Sequence, residues 1–310
     1  MEIKFDSAIN EYLDYIKIKR KNTTYITNKR RILKYILPYF KNKNIFDLSC
    51  KDYICWQNYI ENLNLKYNYK SSLHYCFSNF INYCILFYNL NENIAKKVGN
   101  FKNNEIDEVG NIWTINEFNQ FINKVDNDIY KTLFKTLYFT GMRKGEILAL
   151  KFNDINFNNN TISINKTITR FNNLNNDKII TTPKTKSSIR IISIDDKLSN
   201  EIKELQNYYI EHFNGYNNNY FIFGGNKSIK FATLERKKNY YCVLANVKQI
   251  KIHEFRHSHA CLLFQNNVPI EDISHRLGHS TISMTMNVYL KYLPHNEKRV
   301  INTLNKIRLN

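Results

Sequence analysis

Apolar residues recur at helical spacing four times within the first hundred positions. Phe5, Ile9, Tyr12, Leu13 and Ile16 form one stripe, and Ile32, Leu33, Ile36 and Leu37 form a second. Ser49 and Asp52 are spaced to cap a third helix bearing Tyr53, Trp56, Ile60 and Leu63. The fourth stripe is the clearest, running through Leu73, Cys76, Phe77, Phe80, Ile81, Cys84, Ile85 and Tyr88. Lysines occupy the intervening faces, so residues 1–100 read as a small helical domain.

The periodicity lapses from Val98 to Ile112, which predicts a linker over 101–112. It resumes at a capping box, Thr114 with Glu117, where Trp113 is expected to staple onto Phe118. A helix with Ile129, Leu133, Phe134 and Leu137 should stop at Gly141, leaving Arg143 at the entrance of the next, Glu146 to Leu150. Then the pattern changes. Thr161–Thr169, Lys178–Thr182 and Ile189–Ile194 are β-branched and partly alternating, predicting one small antiparallel sheet. Its second turn, Pro183 to Ser188, has lysines at its tip. Helices return after Asp195, and the last, from about Asn296, presents Val300, Ile301, Leu304 and Ile307. The chain is therefore expected to be mainly α, a helical domain followed by an α+β domain.

Charge narrows the partner. The 310 residues hold 45 Lys plus Arg against 27 Asp plus Glu, a net +18. Residues 1–100 hold 16 basic and 8 acidic side chains and the remainder 29 and 19, so both domains are basic. A folded, aromatic-rich basic chain favours nucleic acid. Six cysteines lack any CxxC spacing, which fits a reducing cytoplasm without disulfides. Cys76 and Cys84 fall on the fourth stripe and read as core. Neither a signal peptide nor a run able to span a bilayer is apparent.

Candidate chemistry lies in four strings: TGMRKGE, HEFRH, LGHS and NVY. Glu146, three residues after Arg143, can pair with it, or hold its guanidinium while the free edge grips a phosphate oxygen. HEFRH also fits the zinc-peptidase pattern, with His253 and His257 as ligands, Glu254 as base and Glu271 as a third ligand. Arg256 opposes that reading, because it would set a permanent cation on the face of the two ligands; the same face suits an anion. His257 and His259 are then structural. Pro269 can open a helix ending at Gly278, which fixes His279 just past a terminus. Tyr289 follows a segment able to form one short helix. Two arginines, two histidines and a late tyrosine could together break a phosphodiester. The phenol attacks phosphorus, the cations hold the oxygens, and a lysine on the turn protonates the leaving 5′ oxygen. No carboxylate cluster of the kind that recruits Mg²⁺ appears.

In order and setting these strings resemble the tyrosine recombinases, or phage-integrase family, from about Trp113 to the carboxyl end. The first hundred residues are similar, more weakly, to that family's SAM-like core-binding domain. The PKTKSS and LGHSTIS strings resemble integrases of phages and conjugative transposons more than Xer recombinases. The resemblance implies a helical core-binding domain at 1–100 and a catalytic domain at 113–310, with a small antiparallel sheet. It implies the catalytic set Arg143, Lys184, His253, Arg256, His279 and Tyr289, supported by Glu146, with Lys186 as rival lysine and Tyr292 as fallback nucleophile. It implies no metal and no other cofactor, a 3′-phosphotyrosyl intermediate, and a Holliday junction. It also implies a homotetramer on two double-stranded core sites, accessory DNA-bending or directionality proteins, and a cytoplasmic, nucleoid-associated setting. The sequence opens directly on the core-binding domain, without an arm-binding domain, which keeps Xer-like resolution as an alternative. Type IB topoisomerase-like relaxation and a non-enzymatic DNA-binding protein are the other rivals.

Overall fold

A computed structural model describes residues 2–103, 111–170, 178–183, 185–292, 301, 304 and 305. The chain divides into two compact units, Met1–Asp107 and Glu108–Asn310. The first comprises α1 (Phe5–Lys19), α2 (Asn22–Arg31), α3 (Leu37–Phe40), α4 (Cys50–Glu61), α5 (Tyr67–Tyr88) and α6 (Ile94–Val98). Its centre is aromatic: Trp56 stacks on Phe77 at 5.5 Å, and Phe5 on Phe40 at 5.2 Å. The Ser49–Asp52 capping box starts α4 as its spacing predicts, and Cys76 and Cys84 are core. The second stripe holds only in part. Between α2 and α3 the helix widens into a π turn over Ile32–Ile36, just ahead of Pro38, which has no N–H for the usual ladder. Ile32 and Ile36 stay buried, while Leu33 turns out to solvent.

The second unit contains α7 (Ile115–Asn123), α8 (Asp128–Thr140), α9 (Lys144–Ala149), β1 (Ile155–Asn156), β2 (Thr161–Ile164), β3 (Thr167–Arg170), β4 (Lys178–Thr181) and β5 (Arg190–Ser193). Then come α10 (Asp196–His212), α11 (Phe231–Leu244), α12 (Ile252–Gln265), α13 (Ile270–Leu277) and α14 (Ile282–Tyr292). The Thr114–Glu117 box starts α7 as expected, but Trp113 packs on Phe121 (4.7 Å) and Phe255 (5.1 Å) rather than on Phe118. Phe118 stacks instead on Tyr138, at 3.9 Å. The buried partner on α12 captures the indole, and sequence spacing cannot show that partner.

The single expected sheet is two. β1-β2-β5 form one antiparallel sheet and β3-β4 a second. Thr161–Thr169 is broken at Asn165–Lys166, where the Lys166 ammonium turns to Asp154 (2.6 Å). β3 then lies on α9, where a Cβ at Gly145 would come within 2.4 Å of Thr167 Oγ1 and 2.6 Å of the Ile168 carbonyl. Only glycine lets strand and helix approach so closely. Most of the predicted 101–112 linker, and the predicted helix from Asn296 apart from 301, 304 and 305, lie outside the described residues.

Candidate active site

The site is assembled from helix ends. α8 stops at Gly141, left-handed at φ +64°, and α13 stops at Gly278, φ +67°, whose amide and that of His279 close back on His275 and Ser274. Both stops are the ones the sequence predicts. They turn main-chain carbonyls toward one place, and arginines collect there. Arg256, two per cent exposed on α12, donates from Nη1 to the Gly141 carbonyl (2.9 Å) and from Nη2 to the Leu277 carbonyl (2.5 Å). Arg143, the N-cap of α9, donates from Nη2 to the Gly278 carbonyl at 3.2 Å.

At the centre lies one buried carboxylate. Glu146 accepts from the Arg143 amide (2.9 Å) and from its Nη1 (2.8 Å). It also accepts from Nη1 (3.3 Å) and Nη2 (3.0 Å) of Arg190. Burial pushes this carboxyl up, but the hydrogen bonds and charge of Arg190, with Arg143, hold it below the usual glutamate range. Arg190 is the residue the motif reading missed. Its signal was present: in the alternation of β5 it shares the inward side with Ile192, where an arginine has no place unless paired. Arg276 was missed likewise. It donates to His259 Nε2 (3.0 Å) and to the carbonyls of Ser193 (2.9 Å) and Phe139 (3.0 Å), lacing α13 to β5 and α8.

The histidines are tuned toward neutrality. Partial burial, then the charges of Arg256, Arg143 and Lys144, lower the pKa of His253. Burial, then Arg256 and Arg143, bring His279 down to about 3, and its Nδ1 shares a hydrogen bond of 2.7 Å with Thr285 Oγ1. His257 is lowered to about 4 by burial, then by His253 and Arg256. His259, fully buried and beside Arg276, falls to about 3.

Arg143, Glu146, His253, Arg256 and His279 thus share one electrostatic neighbourhood. Tyr289 does not join them here. It lies on α14 with its ring on Phe264 (3.8 Å between centroids), near the far end of α12. Phe264 is eight residues past Arg256, about 12 Å along the helix axis. Tyr292 is nearer: its ring meets His257 at 5.4 Å, and His257 meets His253 at 4.7 Å. Lys184 lies outside the described residues, as does the side chain of Lys186. In the zinc-peptidase pattern, the Glu254 carboxylate turns back to the Lys251 amide as a helix cap. Among the described residues no three His, Cys, Asp or Glu side chains gather as metal ligands.

Comparison with known proteins now decides the family. Residues 113–295, more than half of the chain, match the model described as "Phage integrase family", and residues 4–60 match its N-terminal SAM-like domain. The chain belongs to the phage integrase family, the tyrosine recombinases. It is an enzyme of DNA recombination on that ground. The ICEBs1 integrase of Bacillus subtilis (strain 168) is 28% identical, over 98% of this chain and 83% of that one. Further relatives, among them a XerC-like tyrosine recombinase, are matched over about half of their own length. The fold is similar to that of the Tn1549 transposon integrase in complex with a circular intermediate DNA (TM-score 0.77, 16% identical, covering 97% of this chain and 99% of that one). It is similar also to a lambda integrase tetramer bound to a Holliday junction (TM-score 0.67, 13% identical, covering 95% and 80%). Among the described residues no helix is long and apolar enough to cross a membrane.

Proposed function

We propose that this recombinase is the integrase of a mobile element, cutting and rejoining DNA at specific core sites with the residues of this cluster. One observation supports the assignment above the rest: Arg143 and Arg190 share a single buried carboxylate with the Arg256 guanidinium close by, so three positive charges face one negative charge beside two neutral histidines. A scissile phosphate supplies the missing anion. The exposed edge of Arg143 and the guanidinium of Arg256 hold its non-bridging oxygens, and His253 and His279 complete the cradle.

The Tyr289 hydroxyl attacks phosphorus, giving up its proton to a base in the cradle as the P–O5′ bond breaks. The departing 5′ oxygen takes a proton from Lys184. The resulting 3′-phosphotyrosyl ester is later attacked by a 5′ hydroxyl of the partner duplex, which restores the tyrosine and builds a Holliday junction. With Tyr289 on Phe264, attack requires α14 to shift when DNA binds. The ring of Tyr292 on His257 favours a second reading, in which Tyr292 is the nucleophile. The working unit we infer is a homotetramer on two sites, acting with accessory DNA-bending proteins in the cytoplasm; six cysteines without disulfides fit that compartment.

Mapping the DNA-linked peptide after incubation with a nicked half-site tests the assignment. Tyr289→Phe is expected to abolish the adduct with DNA binding nearly intact. An adduct that survives in Tyr289→Phe and disappears in Tyr292→Phe moves the nucleophile to Tyr292. Loss of Arg143 or Arg256 is expected to slow cleavage by about 10²-fold or more. Unchanged cleavage removes that arginine from the site.

A further inference from the structure

We propose that Arg190 is a positioning residue of this site: a buried guanidinium that holds Glu146 against Arg143 and so leaves the outer edge of Arg143 free for phosphate. The inference rests on the reading of Arg143 given above. Four of the five N–H donors of Arg190 are taken by the protein, against two for Arg256. Nε donates to the Arg276 carbonyl (2.8 Å), Nη1 to Glu146 and the Ser188 carbonyl (3.1 Å), and Nη2 to Glu146. The side chain is three per cent exposed, against 32% for Arg143. One of these arginines is enclosed and the other is open.

Glu146 is divided evenly between them, since each of its oxygens accepts from both residues. With Arg190 gone, a carboxylate two per cent exposed would have one guanidinium in reach. The buried charge then draws Arg143 inward to replace the lost hydrogen bonds. That movement takes Arg143 off the Gly278 carbonyl and away from the phosphate. Arg190 thus acts on the reaction through Glu146 and Arg143, without touching DNA.

Single-turnover cleavage of a nicked half-site by Arg190→Met and Arg190→Lys tests this, each variant also being made in an Arg143→Ala background. Arg190→Met is expected to cut about tenfold or more slowly when Arg143 is present, and less than twofold more slowly when it is absent. Arg190→Lys is expected to recover part of the loss. Sulfur in place of the 5′ bridging oxygen is expected not to rescue Arg190→Met, because a better leaving group does not restore contacts to non-bridging oxygens. Equal losses in both backgrounds overturn the proposal. So does rescue by sulfur, which would mean that Arg190 acts on protonation of the leaving 5′ oxygen. If Arg190→Met fails to fold, the charge-balanced pair E146Q/R190M decides: it is expected to cleave like E146Q alone, and a further loss overturns the proposal. Wild-type cleavage by Arg143→Ala overturns the reading of Arg143 and the proposal with it; a loss there with none in Arg190→Met overturns the proposal alone.

Discussion

Replacing Gly278 with alanine tests whether the close seating of Ser187 and Arg190 on the end of α13 organises the site. Two costs apply at this position. The backbone is left-handed, at φ +67°, which costs an alanine about 1–2 kcal/mol. A Cβ would also lie 2.7 Å from the Ser187 carbonyl oxygen and 3.0 Å from Arg190 Cδ, so main chain must shift. Such overpacking adds about 1–3 kcal/mol, for a total of about 2–5 kcal/mol. Gly215 in the same unit supplies the control, since it is left-handed too (φ +80°) but has nothing within 4 Å of its Cβ position. In a unit of this size 1 kcal/mol corresponds to about 2–4 °C in Tm. Gly215→Ala is therefore expected to melt about 2–8 °C lower and Gly278→Ala about 4–20 °C lower, with the difference between them reporting the clash. The Gly278 carbonyl accepts from Arg143, and His279 follows directly, so Gly278→Ala is also expected to cleave a half-site about 10²-fold more slowly. Gly215→Ala is expected to cleave normally. Equal melting losses for the two variants, or full cleavage by Gly278→Ala, would refute the reasoning.

Acid is expected to destabilise the catalytic unit. His259 has a folded pKa of about 3 against about 6.5 unfolded, so the fold favours its neutral form. Its contribution is complete above about pH 6.5 and fades as the pH falls toward 3, reaching a loss of about 2 kcal/mol at pH 5. His257 and His279 act in the same direction, and urea melts at pH 7 and pH 5 measure the slope; a His259→Gln variant with the wild-type slope would count against the assignment. Binding DNA is expected to raise the pKa of His253 by offsetting Arg256, Arg143 and Lys144, the lowering by burial remaining, so association near pH 6 should take up protons. Calorimetry in buffers of different ionisation enthalpy detects that uptake, and a binding enthalpy independent of buffer contradicts it. Arg256→Lys replaces the two-nitrogen fork at the Gly141 and Leu277 carbonyls with a single ammonium, and is expected to lose about 1–3 kcal/mol in urea unfolding besides cleaving poorly. Stability equal to wild type would mean that water or another donor replaces the guanidinium.

Local grammar made much of this protein legible. The Ser49–Asp52 and Thr114–Glu117 boxes, the stops at Gly141 and Gly278 and the stripe of α5 depend on neighbours within one or two turns, and each lies where its spacing predicts. Spacing failed where a local break or a distant partner competed. Pro38 converts the preceding turn to a π turn and turns Leu33 outward; Phe255 takes Trp113 from Phe118; and the contact of Gly145 with β3 divides one expected sheet into two.

The same division runs through the active site. The residue types and their order are properties of the chain alone, because the proposed phosphate cradle draws on guanidinium, imidazole and phenol, and those groups recur in short strings. Only folding brings β5 beside α9, so only folding could reveal that Arg190 shares Glu146 with Arg143, a partnership across 44 positions. Tertiary packing likewise decides where Tyr289 rests, since stacking on Phe264 depends on how α14 crosses α12. Hydrogen bonds and charge act over a few ångströms of space, whatever the separation along the chain.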